Sequence, residues 1–170
     1  DYDRMLARAK RVRAKYAANP LLRADVVKLF GDGVMEGNPY TTPPTLPDTL
    51  ALHPYRQPIF GRDKNGKLTV TGYVDTDSPV CKEVRSNPAK YTVDKAVAEF
   101  SAAHHFHPGQ CAISYGQLQH DRAVIMEFVK RFHLAGFTLH VHVIGDGTLH
   151  VVLDALEAGD IRLDADADGA

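Results

Sequence analysis

The stretch from Phe137 to Gly147, F-T-L-H-V-H-V-I-G-D-G, constrains the fold more than any other part of the chain. Leu139, Val141 and Val143 alternate with Thr138, His140 and His142, the period-two pattern of a strand. Gly145-Asp146-Gly147 breaks the strand, and an amphipathic run from Thr148 to Ala158 begins at once. Strand, tight turn and helix in this order form the unit of parallel α/β folds, whose ligands gather at the C-terminal ends of the strands. His140 and His142 share one face, roughly 6 to 7 Å apart at Cα. His142 is the one nearer that end.

A second strand is predicted over Asp25 to Phe30, closed by Gly31-Asp32-Gly33. A short apolar run closed by glycines reads as a buried strand. Lys28 shares its side with Val26 and Phe30, and Asp32 follows in the same parity. A lysine on the inward face of a buried strand must be deprotonated, paired or modified, because an unpaired buried charge is costly. Two readings stay open for it: an ion pair with Asp32 or another carboxylate, or a metal-site lysine.

Between the two strands the texture changes. Eight of the ten prolines lie between residues 37 and 90. Pro43-Pro44-Thr45-Leu46-Pro47 excludes a helix interior or a central strand. Asn65-Gly66 between Pro58-Ile59-Phe60 and Leu68 to Val74 signals a small hairpin. The span 37–90 is therefore expected as a long loop insertion, either a lid or binding loop or a passive surface excursion. Helices are predicted over residues 1–18 and from Thr92 to Ala103. A long helix is expected to open at a capping box, Ser114-x-x-Gln117, and to bury Leu118, Ile125, Phe128, Val129 and Phe132. In the last helix Leu149, Val152, Leu153 and Leu156 make the predicted buried stripe, Gly159 the cap, and the acidic residues beyond it a frayed tail.

Composition narrows the functional classes. A net charge of -1 and a pI near 6.8 argue against a nucleic-acid or anionic-membrane surface. No apolar run approaches the roughly 18 residues of a membrane span, and the charged first residues show no signal-peptide pattern. Cys81 and Cys111 have no metal-type spacing and are expected as free thiols in a reducing, cytoplasmic compartment. Nine histidines stand out. His104, His105 and His107 are expected near a helix C-terminus, where partial positive charge is tolerated; a metal cluster there is the lesser reading.

For His140 and His142, two explanations weigh equally from H-x-H alone: zinc-type ligands, or core histidines bonded to carbonyls. The adjoining G-D-G favours the ligand reading, because it puts Asp146 at the same strand end. Asp146 could orient a ligand, although capping the last helix is the default role for an aspartate there.

The motifs V-V-K-L-F-G-D-G, then T-L-A-L-H-P-Y, then G-F-T-L-H-V-H-V-I-G-D-G-T with its L-D-A-L helix, together resemble the metal-dependent amidohydrolase superfamily. The branch they are most similar to is that of the N-substituted formamide deformylase-like amidohydrolases. The resemblance runs over most of the chain. It implies an α/β fold: a segment of a (β/α)8 TIM-type barrel, about strands four and five, with a long proline-rich loop carrying the hairpin. Lys28 would match the fourth-strand lysine, carboxylated in many members, and His142 the fifth-strand metal ligand. His140 has no firm counterpart, and Gly147 stands where arginine is common. The family's first-strand H-x-H, sixth-strand histidine and eighth-strand aspartate, the general base, have no match here. Part of a larger protein is therefore expected, as it is from two strands that cannot bury both faces of a sheet.

The expected activity is metal-dependent hydrolysis of a C–N bond in a small-molecule amide, with one or two divalent ions, zinc by the ligand chemistry. Lys28 and His142 are the candidate ligands, with Asp32, His140 and Asp146 close by. With half the ligands absent, this chain alone is expected to be inactive. The other class is a truncated, non-catalytic piece serving as scaffold or weak metal binder. Neither nucleic acid nor membrane is an expected partner, and self-association into a homo-oligomer is left open.

Overall fold

The structure, a computed structural model, describes the backbone of residues 1–167 and the side chains of residues 1–159. It is a mixed α/β chain with two small sheets. It divides into two compact units: Asp1–Val34, Thr49–Ala51 and Gln117–Ala170 form the first, and Met35–Asp48 with Leu52–Gly116 the second.

The first unit holds α1 (Tyr2–Tyr16), β1 (Val26–Phe30) and, far along the chain, three more elements. These are α4 (Arg122–Leu134), β4 (Thr138–His142) and α5 (Asp146–Ala167). Asp1 caps α1 by accepting the Arg4 N–H. Arg13, in its last turn, donates to the carbonyls of Ala135 and Gly136 at 3.1 Å each. Its guanidinium also lies 4.1 Å from the centre of the Phe137 ring. One arginine thus holds α1 against the start of β4.

Strands β1 and β4 pair in parallel, with Val26 opposite Thr138, Lys28 opposite His140 and Phe30 opposite His142. The odd residues, Val27, Leu29, Leu139 and Val141, turn towards a core built from Ile125, Phe128, Val129, Phe132, Phe137, Val151, Val152 and Ala155. The even residues form the other face. Val26, Lys28, Phe30 and His140 are exposed there and His142 half-buried, so the strand expected to be buried on both sides is buried on one.

Two helix readings are corrected. The capping box at Ser114 opens no helix. The Ser114 hydroxyl accepts the Gly116 N–H, Gly116 adopts φ 71°, and α4 begins only at Arg122 after Asp121. A short polar side chain has used its local acceptor to make a turn instead of a cap. In α5 the buried face is Thr148, Val151, Val152 and Ala155 with Leu156 packed beside them, so Val152 and Leu156 of the expected stripe face the core, while Leu149 and Leu153 are about half exposed. Small residues make the contact because α5 packs closely on α4: a Cβ on Gly159 would stand 3.2 Å from His133 Cδ2. Gly159 therefore lies inside the helix and does not end it. The tail expected to fray lies partly outside the described residues.

The second unit is larger than the 37–90 insertion expected from proline content. It contains a hairpin of β2 (Pro58–Arg62) and β3 (Leu68–Tyr73), antiparallel, with an irregularity between Ile59 and Phe60. Asn65-Gly66 makes the turn, with Gly66 at φ 77° and Asp63 accepting the N–H groups of Asn65 and Lys67. Helix α2 (Pro79–Ser86) was not legible in the proline-rich stretch, although Ser78 caps it and Pro79 occupies its first turn. A 3-10 turn (Pro88–Thr92), α3 (Asp94–His104) and a second 3-10 turn (Pro108–Cys111) follow.

Val74, Cys81, Val84, Phe100 and Cys111 form this unit's core. Cys81 and Cys111 are not free thiols: both are fully buried and joined in a disulfide. Two cysteines 30 residues apart give no sign of pairing until α2 and the turn before Ala112 pack together. Arg85 braces the same junction by donating to the carbonyls of Thr76 at 2.6 Å and Cys111 at 2.8 Å.

Candidate functional site

The parallel pairing brings Lys28, His140 and His142 to one face, because its register sets Lys28 opposite His140 and Phe30 opposite His142. Phe30 sits among them. The Lys28 ammonium lies 4.8 Å from the centre of the Phe30 ring, and the His142 ring centre 5.3 Å from it. Lys28 is exposed and makes no ion pair with Asp32. The alternative that had Asp32 neutralising a buried lysine is therefore set aside.

His142 is held at the strand's end. Its Nε2 lies 2.9 Å from the carbonyl oxygen of Gly33, in the turn after β1. A carbonyl can only accept, so Nε2 carries the proton and donates. In the neutral ring Nδ1 then keeps its lone pair. A metal-binding histidine commonly shows this arrangement, one nitrogen donating to a backbone carbonyl and the other free to ligate.

Asp32 is the buried member, with its side chain fully enclosed. It accepts the Gly145 N–H at 2.7 Å and the Ile144 N–H at 3.2 Å. The Nε2 of His142 stands 4.0 Å away, beyond hydrogen-bond range. Asp32 is thus an anchor. It stitches the turn after β1 to the turn after β4, at the two strand ends that carry the candidate ligands. Sequence reading placed Asp32 near the site but missed this role, and missed the Gly33 carbonyl altogether. The signal was the G-D-G following the strand: a carboxylate that leaves the strand at a glycine can turn back towards backbone donors.

Asp146 lies in the first turn of α5, exposed, with Oδ1 accepting the Gly147 N–H at 2.8 Å. This bond is the helix-terminal role that is the default for an aspartate there. The Leu50 carbonyl meets the same terminus, accepting from Gly147 at 3.1 Å and Thr148 at 3.3 Å. A Cβ on Gly147 would stand 2.9 Å from Leu50 Cγ, so an arginine has no room where this chain has glycine.

No group of three or more His, Cys, Asp or Glu side chains converges as a metal site among the described residues. His104, His105 and His107 belong to the second unit, at the end of α3 and just beyond it. The His104 ring lies tilted against Phe100, and His105 takes the left-handed conformation that closes the helix. Among the described residues no helix is long and apolar enough to cross a membrane. Set against protein-family models, curated proteins and solved structures, the chain matches none.

Proposed function

We propose that this chain contributes part of the metal site of a metal-dependent amidohydrolase, built on a (β/α)8 barrel, that hydrolyses a C–N bond in a small-molecule amide. The observation that carries the proposal is the parallel pairing of β1 with β4. It aligns Lys28, His140 and His142 on one face, with the His142 Nδ1 lone pair available. The donor set fits a divalent ion in part. His142 is ready to ligate through Nδ1. Lys28 offers a donor only once its ammonium is neutral or carboxylated. Two donors fall short of the three or four that a firm zinc site uses. A bound divalent ion would lower the pKa of a water and polarise the amide carbonyl. Around it, the Gly33 carbonyl would orient His142, and Asp32 would hold the two turns in register.

A specific contact favours the second reading, a non-catalytic scaffold: the Lys28 ammonium rests over Phe30, which has no part in ligation. The two readings separate in the longest protein that contains this chain. Its zinc content is to be measured by atomic spectroscopy beside the His142→Ala and Lys28→Ala variants. The amidohydrolase reading expects both variants to lose metal and amide hydrolysis together. Wild-type metal content in both would overturn it. The compartment is part of the same proposal. The cytoplasmic expectation rested on free thiols, and the Cys81–Cys111 bond favours an oxidising compartment.

A further inference from the structure

We infer that the second unit carries a binding cleft for a small apolar carboxylic acid, with Arg56 as the group that takes the carboxylate. The cleft has a volume of about 510 Å³, within the range of small-molecule sites. Its floor is one face of the hairpin. Pro58 pairs with Tyr73 and Phe60 with Val70, so four apolar or aromatic side chains lie side by side. Val70 and Tyr73 are each nearly half exposed, on a face that the unit's own core does not use. Leu46 and Pro47 wall one side. Their loop is fixed by paired bonds, Thr45 N–H to the Asn38 carbonyl at 3.0 Å and Asn38 N–H to Thr45 Oγ1 at 2.6 Å. Gly37 lets this loop close, because a Cβ there would stand 2.2 Å from the Thr45 carbonyl oxygen. Prolines in the walls restrict the backbone, so the shape loses little entropy when a ligand enters.

Arg56 is the only charged residue lining the cleft. Its guanidinium lies 3.8 Å from the centre of the Tyr73 ring. The contact holds the guanidinium over the ring, and among the described residues its N–H groups meet no carboxylate or carbonyl. A planar fork of donors at the edge of an apolar floor matches a carboxylate joined to an aryl or alkyl group. The chemistry commits to one occupant class: an anion with an apolar body, not a cation or a sugar.

The test uses the full chain and three probes followed by ligand-observed NMR: 4-phenylbutyrate, its neutral amide 4-phenylbutanamide, and acetate. The acid is expected to bind with a Kd of about 1 mM, the order set by an ordinary ligand of its size. The amide should bind about tenfold more weakly, for loss of a charge-assisted hydrogen bond, and acetate should not bind. Arg56→Gln should weaken the acid about tenfold while leaving the amide unchanged, so the amide also reports that the cleft is still folded. Val70→Ser should weaken both. Equal binding of acid and amide, unchanged binding of the acid by Arg56→Gln, or no binding of either would overturn the inference. So would a sedimentation profile showing that a second copy of the chain occupies the cleft. The outcome is independent of the metal content measured for His142 and Lys28.

Discussion

The Nε2 of His142 donates to the Gly33 carbonyl across 2.9 Å, tying the end of β4 to the turn that follows β1. The proton position follows from the partner and needs no metal. The neutral ring of His142 is therefore expected as the Nε2–H tautomer, with Nδ1 unprotonated. Long-range 1H–15N correlation spectra distinguish the two nitrogens directly. An Nδ1–H pattern for His142 would remove the lone pair on which the metal proposal stands.

Asp32 acts on the same two turns from inside. Asp32→Ala would leave the buried Gly145 N–H and the partly buried Ile144 N–H without their acceptor. An unsatisfied buried donor costs about 1 to 3 kcal/mol and a partly buried one less, so a loss of about 2 to 4 kcal/mol is expected. Asp32→Asn keeps one acceptor oxygen but turns an amide NH2 towards the other donor, and should fall between wild type and alanine. Urea unfolding of the three proteins checks the order. Equal stability of all three would show that the anchor is not needed.

How much of this could be read from the residues depends on what each pattern encodes. The β1–β4 face was half legible: parity, a local property, puts Lys28 with Phe30 and His140 with His142, but only the register of the parallel pair, Lys28 opposite His140, brings the two sets to one side. The hairpin was legible from Asn65-Gly66 for the same local reason. The α5 face was legible only in part, at Val152 and Leu156, because Leu149 and Leu153 are more apolar than Ala155 and Gly159. Close packing against α4 selects small side chains, and a hydrophobicity pattern ranks those low. The Ser114 box failed because the serine bonds to Gly116 within its own turn. The anchoring role of Asp32 and the Cys81–Cys111 bond depend on contacts 112 and 30 residues apart, which no local pattern contains.

His107 gives the second unit a pH dependence. Its ring is partly buried, and that burial holds its pKa below the ordinary histidine value. Its Nδ1 accepts the Gly109 N–H at 2.9 Å, a bond that a proton on Nδ1 would break. With the folded pKa below the unfolded one, the unfolded chain takes up its proton first as pH falls below about 6.5. Stability should therefore be unaffected by this group above that pH and decline below it. His107→Asn keeps an acceptor for the Gly109 N–H and removes the titration. Its thermal midpoint should fall less than that of wild type between about pH 7 and pH 5. Parallel slopes would show that His107 is not the titrating group.

The disulfide should matter to the second unit more than to the first. Closing a separation of 30 residues stabilises by about 3 to 4 kcal/mol through the unfolded chain's lost entropy. The unit's core of five buried residues has little to offset its loss. Alkylation and mass measurement on unreduced protein should find no free thiol. Reductant should lower the unfolding midpoint of wild type and leave that of the Cys81→Ser/Cys111→Ser pair unchanged. Two alkylated cysteines in protein taken directly from the cell would instead return the chain to a reducing compartment.

Two glycines separate close approach from mere flexibility. A Cβ on Gly145 would stand 2.0 Å from the Leu50 carbonyl oxygen, whereas a Cβ on Gly72 meets nothing within 4 Å. The Leu50 carbonyl cannot simply retreat, because it accepts the N–H groups of Gly147 and Thr148 that open α5. Gly145 also donates its own N–H to Asp32, so a shift of its backbone loosens that anchor as well. Gly145→Ala is therefore expected to lose about 3 kcal/mol or more, through overpacking joined to broken hydrogen bonds. Gly72→Ala should change stability by less than about 1 kcal/mol and, by narrowing the unfolded ensemble, in the stabilising direction. Unfolding midpoints of the two variants measured side by side decide it. Similar small effects from both would mean that the Leu50 segment does not seat against the start of α5, and the strand-end geometry that presents His142 would lose its support.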